Sequence, residues 1–348
     1  MTVLKNDTFK RYLYYLLRKN LLRDIILAFT SITFLVFKLR SISYPRDCGL
    51  SVVTWIGIII SAIMPMLTFS VFNQKRNLDC IYSLPLDRKK VALAYFISGE
   101  ISFLCIYTAC FIVFLINVAV KFTEYNIEYI LLFYFISAIY FFVVYSFFCF
   151  IFTRANTGFD GVVFCLGWTF TISLIIFAFA FLVYVITGKS LITDLFLYIG
   201  IIIAPIYSAN EIFGKLVFIK TPTNFFSYIA TRPEFYFSYP FWMIVGGFSL
   251  FGLIKTFPQK AAYKAEDISN SIFGYKFLVP ITGFTLMYIL NGLGTVVVSA
   301  ILYIGMVIGY AIYRRGFRFK KSDIIILVIG LLLLLKWVFF GSLSFNQY

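Results

Sequence analysis

The amino-acid sequence predicts an all-α fold: a polytopic membrane helical bundle of about nine spans, within a range of about 8–10. Three properties of the 348-residue chain predict it: 61% of the residues are hydrophobic, only 13% are charged, and the mean hydropathy is +0.93. A soluble domain is usually about half apolar and about a quarter charged. So much apolar surface cannot be buried in one soluble core of this size, whereas a lipid bilayer solvates it well.

The chain begins with a segment of mixed character and continues through a series of apolar runs. Residues 1–23 place Lys, Arg, Tyr and Leu at helical spacing, which is typical of an amphipathic helix in the membrane interface. About 20 apolar residues are needed to span the hydrocarbon core, and several of the later runs reach that length. The predicted spans are 24–37, 49–72, 91–120, 127–152, 159–186, 239–257, 277–290, 295–313 and 324–340.

The segment 189–238 departs from this pattern. Its apolar stretches, 195–207 and 212–219, are each too short to span a bilayer, and Pro205 interrupts the first of them. We therefore expect a re-entrant or interfacial helical hairpin on the outer side of the membrane. Two true spans in this segment remain the alternative.

The distribution of positive charge predicts the orientation. Five polar segments on one side hold 21 of the 30 Lys and Arg residues, three segments on the other side hold eight, and Lys336 lies in the last predicted span. Since cytoplasmic loops carry the excess of Lys and Arg, the N-terminus is predicted to be cytoplasmic. The five cytoplasmic segments are 1–23, 73–90, 153–157, 255–276 and 314–321.

The residue types present exclude much enzyme chemistry. The chain has no histidine, which removes Ser-His-Asp and Cys-His nucleophilic sites and His-ligated metals. The run Thr187 to Ser190 resembles the end of a phosphate-binding loop, but Val183 stands where that loop requires glycine. We therefore expect no enzymatic activity, no metal and no cofactor in this chain. The positive charges fall in short clusters between apolar runs, so the expected partner is the bilayer and not nucleic acid.

One ionisable residue, Glu100, lies about ten residues inside a predicted span, where a charge is costly. The residue could line a translocation path or couple to protons. It could equally pair with a neighbouring helix or lie at interface depth.

The loop 73–90 is the most informative polar segment. It lies between two firm spans and contains Ser83-Leu84-Pro85 with Arg88 three residues later, followed by Gly99 in the next span. This arrangement resembles the permeases of ABC-2 type transporters, in which such a motif forms a coupling helix and its exit. In that family an acidic residue and a glycine often precede the motif, whereas here the preceding stretch reads Asn73-Gln-Lys-Arg-Asn-Leu-Asp79. Two further runs are similar to loops of the larger bacterial members: 263–266 and 313–317.

The resemblance implies a permease subunit of a bacterial exporter. It would lie in the bacterial cytoplasmic membrane and move a hydrophobic or amphipathic substrate, such as a lipid, an antibiotic or a peptide. A second permease, identical or different, would pair with it, and separate ATPase subunits would bind ATP and magnesium. The residues implied in coupling to the ATPase are Arg76, Asp79, Leu84, Pro85 and Arg88.

Three regions follow from topology and resemblance together: the interfacial helix 1–23, an ABC-2-like transmembrane core at 24–257, and additional C-terminal transmembrane helices in 258–348. Three other interpretations remain open. The chain could be a secondary transporter or channel, although internal repeats are not evident. It could be a membrane-embedded lipid-modifying enzyme, against which the lack of histidine counts. The loop 73–90 could also be an ordinary basic loop at the membrane surface.

Overall fold

The computed structural model describes residues 2–40, 49–84, 86–122, 125–187, 202–217, 233–257, 265–267, 269, 271, 273–291, 296–314 and 316–340. Every regular element within these ranges is helical, which confirms the all-α prediction. The α-helices are α1 Thr2–Arg40, α2 Leu50–Phe69, α3 Lys75–Tyr82, α4 Arg88–Lys121, α5 Ile127–Thr153, α6 Gly158–Thr187, α7 Ala204–Leu216, α8 Pro233–Thr256, α9 Tyr275–Asn291, α10 Val296–Arg314 and α11 Lys321–Phe340. A short 3-10 turn, Ser70–Asn73, follows α2.

Seven of these helices are long and apolar enough to cross a bilayer, counted over the described part of the chain. Their length and composition indicate a multi-pass membrane protein, as the sequence predicts. The candidate spans are Thr8–Arg40, Leu50–Asn73, Arg88–Lys121, Ile127–Thr153, Gly158–Ala180, Tyr236–Thr256 and Val297–Arg314.

The N-terminal helix differs from the expected arrangement. The sequence places an interfacial helix at 1–23 and a separate short span at 24–37, whereas α1 is one continuous helix of 39 residues. At about 1.5 Å per residue it is roughly 58 Å long, more than a bilayer core requires. The boundary expected near residue 23 is absent because no proline or glycine interrupts α1. The interfacial position of residues 1–23 stays a prediction.

Two glycines let helices approach α5 closely. A methyl group at Gly57 of α2 would lie 2.3 Å from the Phe141 ring, and one at Gly246 of α8 would lie 2.6 Å from Val143. Small residues allow such close backbone approach in membrane bundles, where packing rather than water drives helix association. Helix α5 therefore forms the centre of its part of the bundle, with α2 and α8 packed against it.

The predicted outer hairpin is only partly described, and one of its features is wrong. The break expected between 195–207 and 212–219 is absent, because α7 runs without interruption from Ala204, near the end of the first stretch, to Leu216 in the second. Pro205 lies in its first turn, where a missing N–H costs no helical hydrogen bond. At 13 residues, or roughly 20 Å, α7 is too short to cross a bilayer. Most of 189–203 and 218–232 lies outside the described residues.

The carboxyl end of α7 is held by a residue from the loop that precedes α5. The Asn126 backbone N–H donates to the Val217 carbonyl oxygen at 2.9 Å, and its side-chain Nδ2 donates to the Leu216 carbonyl oxygen at 3.3 Å. The last carbonyl groups of a helix lack partners within the helix. Asn126 supplies partners for two of the carbonyl groups at this end, those of Leu216 and Val217.

The chain divides into two compact units: Met1–Thr153 with Ile202–Glu266, and Arg154–Ile201 with Asp267–Tyr348. The second unit therefore joins α6, which the sequence grouped with the core 24–257, to the C-terminal helices α9, α10 and α11.

Specific contacts explain why α6 packs with α9. The Trp168 indole N–H donates to the Phe273 carbonyl oxygen at 2.6 Å, and the Tyr275 hydroxyl donates to Asp160 at 2.8 Å. Gly167 leaves room for Leu278, since a methyl group there would lie 2.5 Å from Leu278 Cδ2.

Candidate functional site

Helix α3 is a short polar element between the two long helices α2 and α4. Its eight residues span roughly 12 Å, so it cannot cross a membrane. Leu78 and Ile81 are buried, with 0% and 7% of their surfaces exposed. The opposite face is exposed and polar, and comprises Lys75, Arg76, Asp79, Cys80 and, at the end of the helix, Ser83. The helix therefore lies on the first unit through one apolar edge and presents a charged face outward.

An aromatic cluster fixes the point where α2 leads into α3. The Phe72 ring is fully buried and makes edge-to-face contacts with Tyr95, at a centroid distance of 4.6 Å, and with Phe257, at 4.7 Å. Tyr95 belongs to α4, and Phe257 directly follows α8. Each such ring pair adds about 0.5–1.5 kcal/mol beyond burial. The start of α3 is thus tied to three long helices.

The amino end of α3 receives a carboxylate from a distant part of the chain. The backbone N–H of Lys75 donates to Glu266 Oε1 at 3.2 Å. Glu266 has a φ of 69°, in the left-handed region that residues other than glycine seldom adopt. Its neighbour Ala265 is fully buried and holds the segment in place. An acidic group is favourable there, because the first N–H groups of a helix lack helical partners and carry partial positive charge.

The carboxyl end of α3 is linked to the start of α4. The Arg88 guanidinium lies 4.2 Å from the centroid of the Tyr82 ring, a cation–π contact. Burial raises the pKa of the Tyr82 phenol, and the positive charge of Arg88 opposes that rise. Between them the Ser83 N–H donates to the Asp79 carbonyl oxygen at 3.1 Å, which closes the last turn of α3.

The structure places the predicted coupling residues as follows. Arg76 and Asp79 lie one turn apart on the exposed face of α3. Leu84 is half-buried in the turn after it, and Arg88 is exposed at the first position of α4. Pro85 lies outside the described residues. The four of these residues that the structure describes thus lie on α3 or between its end and the start of α4. Their role in coupling stays a prediction.

Several residues of this site escape prediction from the sequence. Phe72 and Phe257 look like ordinary apolar residues at the ends of spans. Glu266 lies 191 positions from Lys75, and only the similarity of 263–266 to a family loop hints at its importance. No periodic pattern predicts a contact across such a distance.

The remaining predicted residue, Glu100, lies inside the first unit. It is the thirteenth residue of α4 and therefore lies roughly 18 Å along the helix from Arg88. Only 8% of its surface is exposed. Its place in a translocation path stays a prediction.

An apolar groove opens between α1 and α2 in the first unit. Its volume is about 270 Å³, and its walls are almost entirely hydrocarbon. The lining residues are Leu27, Thr30, Ser31, Phe34, Ile56, Ile59, Ile60, Ile63 and Met64.

The described residues include no group of three or more His, Cys, Asp or Glu side chains arranged to hold a metal ion. Comparison with known proteins finds no family model, no characterised protein and no solved structure that matches the chain.

Proposed function

We propose that the chain is the permease subunit of an ATP-driven exporter of the ABC-2 type. The observation that carries the proposal is α3: a short amphipathic helix between two long membrane helices, with a charged exposed face. A helix so placed suits contact with a soluble partner at the membrane surface. ATP and magnesium would be bound by separate ATPase subunits, and this chain would contribute no catalytic residue.

The attachments of α3 support transmission of a force. Leu78 and Ile81 hold the helix body, Phe72 ties its start to α2, α4 and α8, and Arg88 ties its end to α4. A push on the exposed face would move α3 as a rigid body and shift the long helices with it. Small shifts at packed contacts are amplified in this way because packed interfaces switch between discrete arrangements.

The proposed topology has about nine spans. Helix α9, with 17 residues, and α11, with 20, would join the seven candidate spans, while α7 would remain on the outer side. The excess of Lys and Arg in the loops supports a cytoplasmic location for the N-terminus and α3. The membrane would be the bacterial cytoplasmic membrane, and a second permease, identical or different, would complete the transporter.

The proposed substrate is hydrophobic or amphipathic: a lipid, an antibiotic or a peptide. The groove between α1 and α2 supports this class, because its walls offer almost no polar group to a hydrophilic solute.

The test reverses the charges of the exposed face of α3. The chain is purified from membranes of its native host together with any bound ATPase, which is identified by mass spectrometry and assayed for ATP hydrolysis. Arg76→Glu combined with Asp79→Lys should reduce the bound ATPase at least about tenfold, since a rim of reversed charge opposes docking. Arg318→Glu, an exposed charge reversal after α10, is the matched control and should leave binding unchanged. The proposal would be contradicted if the α3 variant bound the ATPase and supported ATP hydrolysis normally, or if no Walker-type ATPase co-purified with the wild type.

A further inference from the structure

The first unit concentrates buried polar atoms that lack hydrogen-bond partners. Among the described residues these include Thr68 Oγ1, Ser98 Oγ and both carboxyl oxygens of Glu100. More than about 90% of buried polar groups in proteins are hydrogen-bonded, so each exception calls for an explanation. Glu100 is the most demanding of them, because an ionised carboxylate is far harder to bury than a hydroxyl.

Neither carboxyl oxygen of Glu100 receives a hydrogen bond from a described residue. The preceding residue, Gly99, is packed so tightly that a methyl group there would lie 2.1 Å from the Tyr145 hydroxyl and 2.9 Å from Thr68 Oγ1. The Tyr145 hydroxyl donates its hydrogen to the Phe96 carbonyl oxygen at 3.0 Å. That proton is therefore already committed.

A positive charge near this region, that of Arg23, is also paired. Tyr145 lies within electrostatic range of Glu100, Arg23 and Cys149. The Arg23 side chain belongs to α1, and its Nε donates to Asp24 Oδ1 at 2.9 Å. Its Nη2 lies 2.8 Å from the same oxygen.

Asp24 satisfies its second oxygen across the α1–α4 contact. The Ser102 hydroxyl donates to Asp24 Oδ2 at 2.5 Å. Asp24 thus accepts both a guanidinium and a hydroxyl hydrogen, as an ionised carboxylate does. Glu100, two positions before Ser102, forms no salt bridge with any described residue.

The other helices that pack against α4 add no counter-charge. Helix α2 contains no titratable side chain at all. On α8 the Tyr239 hydroxyl donates to the Ile136 carbonyl oxygen, and Lys255 lies in the last turn, 5.8 Å from the Phe251 ring. Within the described part of the chain, an ionised Glu100 would therefore be buried with neither an ion-pair partner nor a hydrogen bond.

We propose that Glu100 is a proton-binding site of the membrane bundle, with its carboxyl group protonated and neutral at physiological pH. A proton removes the charge without requiring a partner that the packing does not supply. Ionisable side chains inside membrane helices often mark sites that bind and release protons. A conformation that admitted water to Glu100 would release its proton.

This site is independent of the proposed permease function, and its test uses the purified chain alone. Infrared difference spectra are recorded at neutral pH between the wild type and Glu100→Gln, which keeps the shape of the side chain but has no carboxyl group. The expected difference is loss of the carbonyl stretch of a protonated carboxylic acid. Glu128→Gln, at an exposed position in the first turn of α5, is the control and should remove carboxylate bands instead.

If Glu100→Gln removed carboxylate bands and left the carboxylic-acid stretch in place, Glu100 would be ionised and the proposal overturned. Circular dichroism and size-exclusion chromatography check that each variant folds. Should Glu100→Gln fail to fold, the wild type decides alone: a carboxylic-acid band at neutral pH that shifts on exchange into heavy water supports the site, and its absence overturns it.

Discussion

Phe72→Ala is the variant that tests most sharply how α3 is held. Phe72 is fully buried, and its ring contacts Tyr95 at 4.6 Å and Phe257 at 4.7 Å. Truncating a buried phenylalanine costs about 3–5 kcal/mol in protein cores, through lost contacts and the cavity left behind. The two edge-to-face pairs account for about 1–3 kcal/mol of that loss. We therefore expect the free energy of unfolding to fall by about 3 kcal/mol or more.

The assay is equilibrium unfolding in mixed micelles, with helicity measured by circular dichroism. Phe248→Ala is the matched control, because Phe248 lies on α8 with 73% of its surface exposed. Its truncation should cost less than about 1 kcal/mol. If the two variants lost equal stability, the aromatic cluster would not be the anchor described above.

Three further variants test other contacts. Glu266→Ala should speed amide hydrogen exchange at the start of α3 and lower the free energy of unfolding by about 0.5–2 kcal/mol, as loss of a helix cap does. Glu266→Gln should keep most of the capping and exchange more slowly than Glu266→Ala. Equal exchange rates in the two variants would contradict a capping role for Glu266. Gly57→Ala should destabilise the bundle by about 1–3 kcal/mol through overpacking against α5, whereas Gly247→Ala, with open space around it, should be neutral in the same unfolding assay. Arg314 donates to Asp323 through two nitrogens at 2.7 and 2.9 Å. Asp323→Ala should therefore cost about 1.5–3 kcal/mol, and an unchanged unfolding midpoint would show that the pair adds nothing.

The Asp323 pair also predicts a pH dependence. Burial raises the pKa of this carboxyl, but hydrogen bonds from Arg314, the Lys320 backbone N–H and Ser322 outweigh it, so the pKa is lowered overall. A lowered folded pKa gives stability that is present above the unfolded value of about 3.9 and lost as the pH falls through the folded pKa. As the pH falls into the acid range, the free energy of unfolding should therefore decrease more for the wild type than for Asp323→Ala. Parallel acid profiles would refute this assignment.

The long helices are the part of the fold that the sequence predicts well. The expected spans 91–120 and 127–152 agree with Arg88–Lys121 and Ile127–Thr153 to within a few residues. Their apolar runs end at charged or polar residues, and in lipid an unpaired backbone is too costly for any other structure. The polar loop 73–90 lies between two such spans, but the family resemblance alone implies that it contains a helix.

The contacts between helices lie beyond such reasoning. Helices that are apolar on every side show no preferred face, so nothing in the sequence indicates that Gly57 meets Phe141 or that Asp24 meets Ser102. The continuous helix that begins at Ala204 escapes prediction because proline breaks a helix interior but fits a first turn. The charge state of Glu100 depends on those same contacts, and so the sequence alone left several roles open for it.

The central claim is that the exposed face of α3 receives an ATPase, and native cysteines allow it to be tested directly. Cys80 is free and exposed on α3, whereas Cys105 is free and exposed on the membrane helix α4. A photoreactive maleimide is attached to a variant that keeps Cys80 alone, or Cys105 alone, and cross-linked in native membranes. The account predicts that Cys80 captures a Walker-type ATPase, in a yield that changes when ATP is added, and that Cys105 does not. Capture from Cys105 alone, or from neither cysteine, would contradict it.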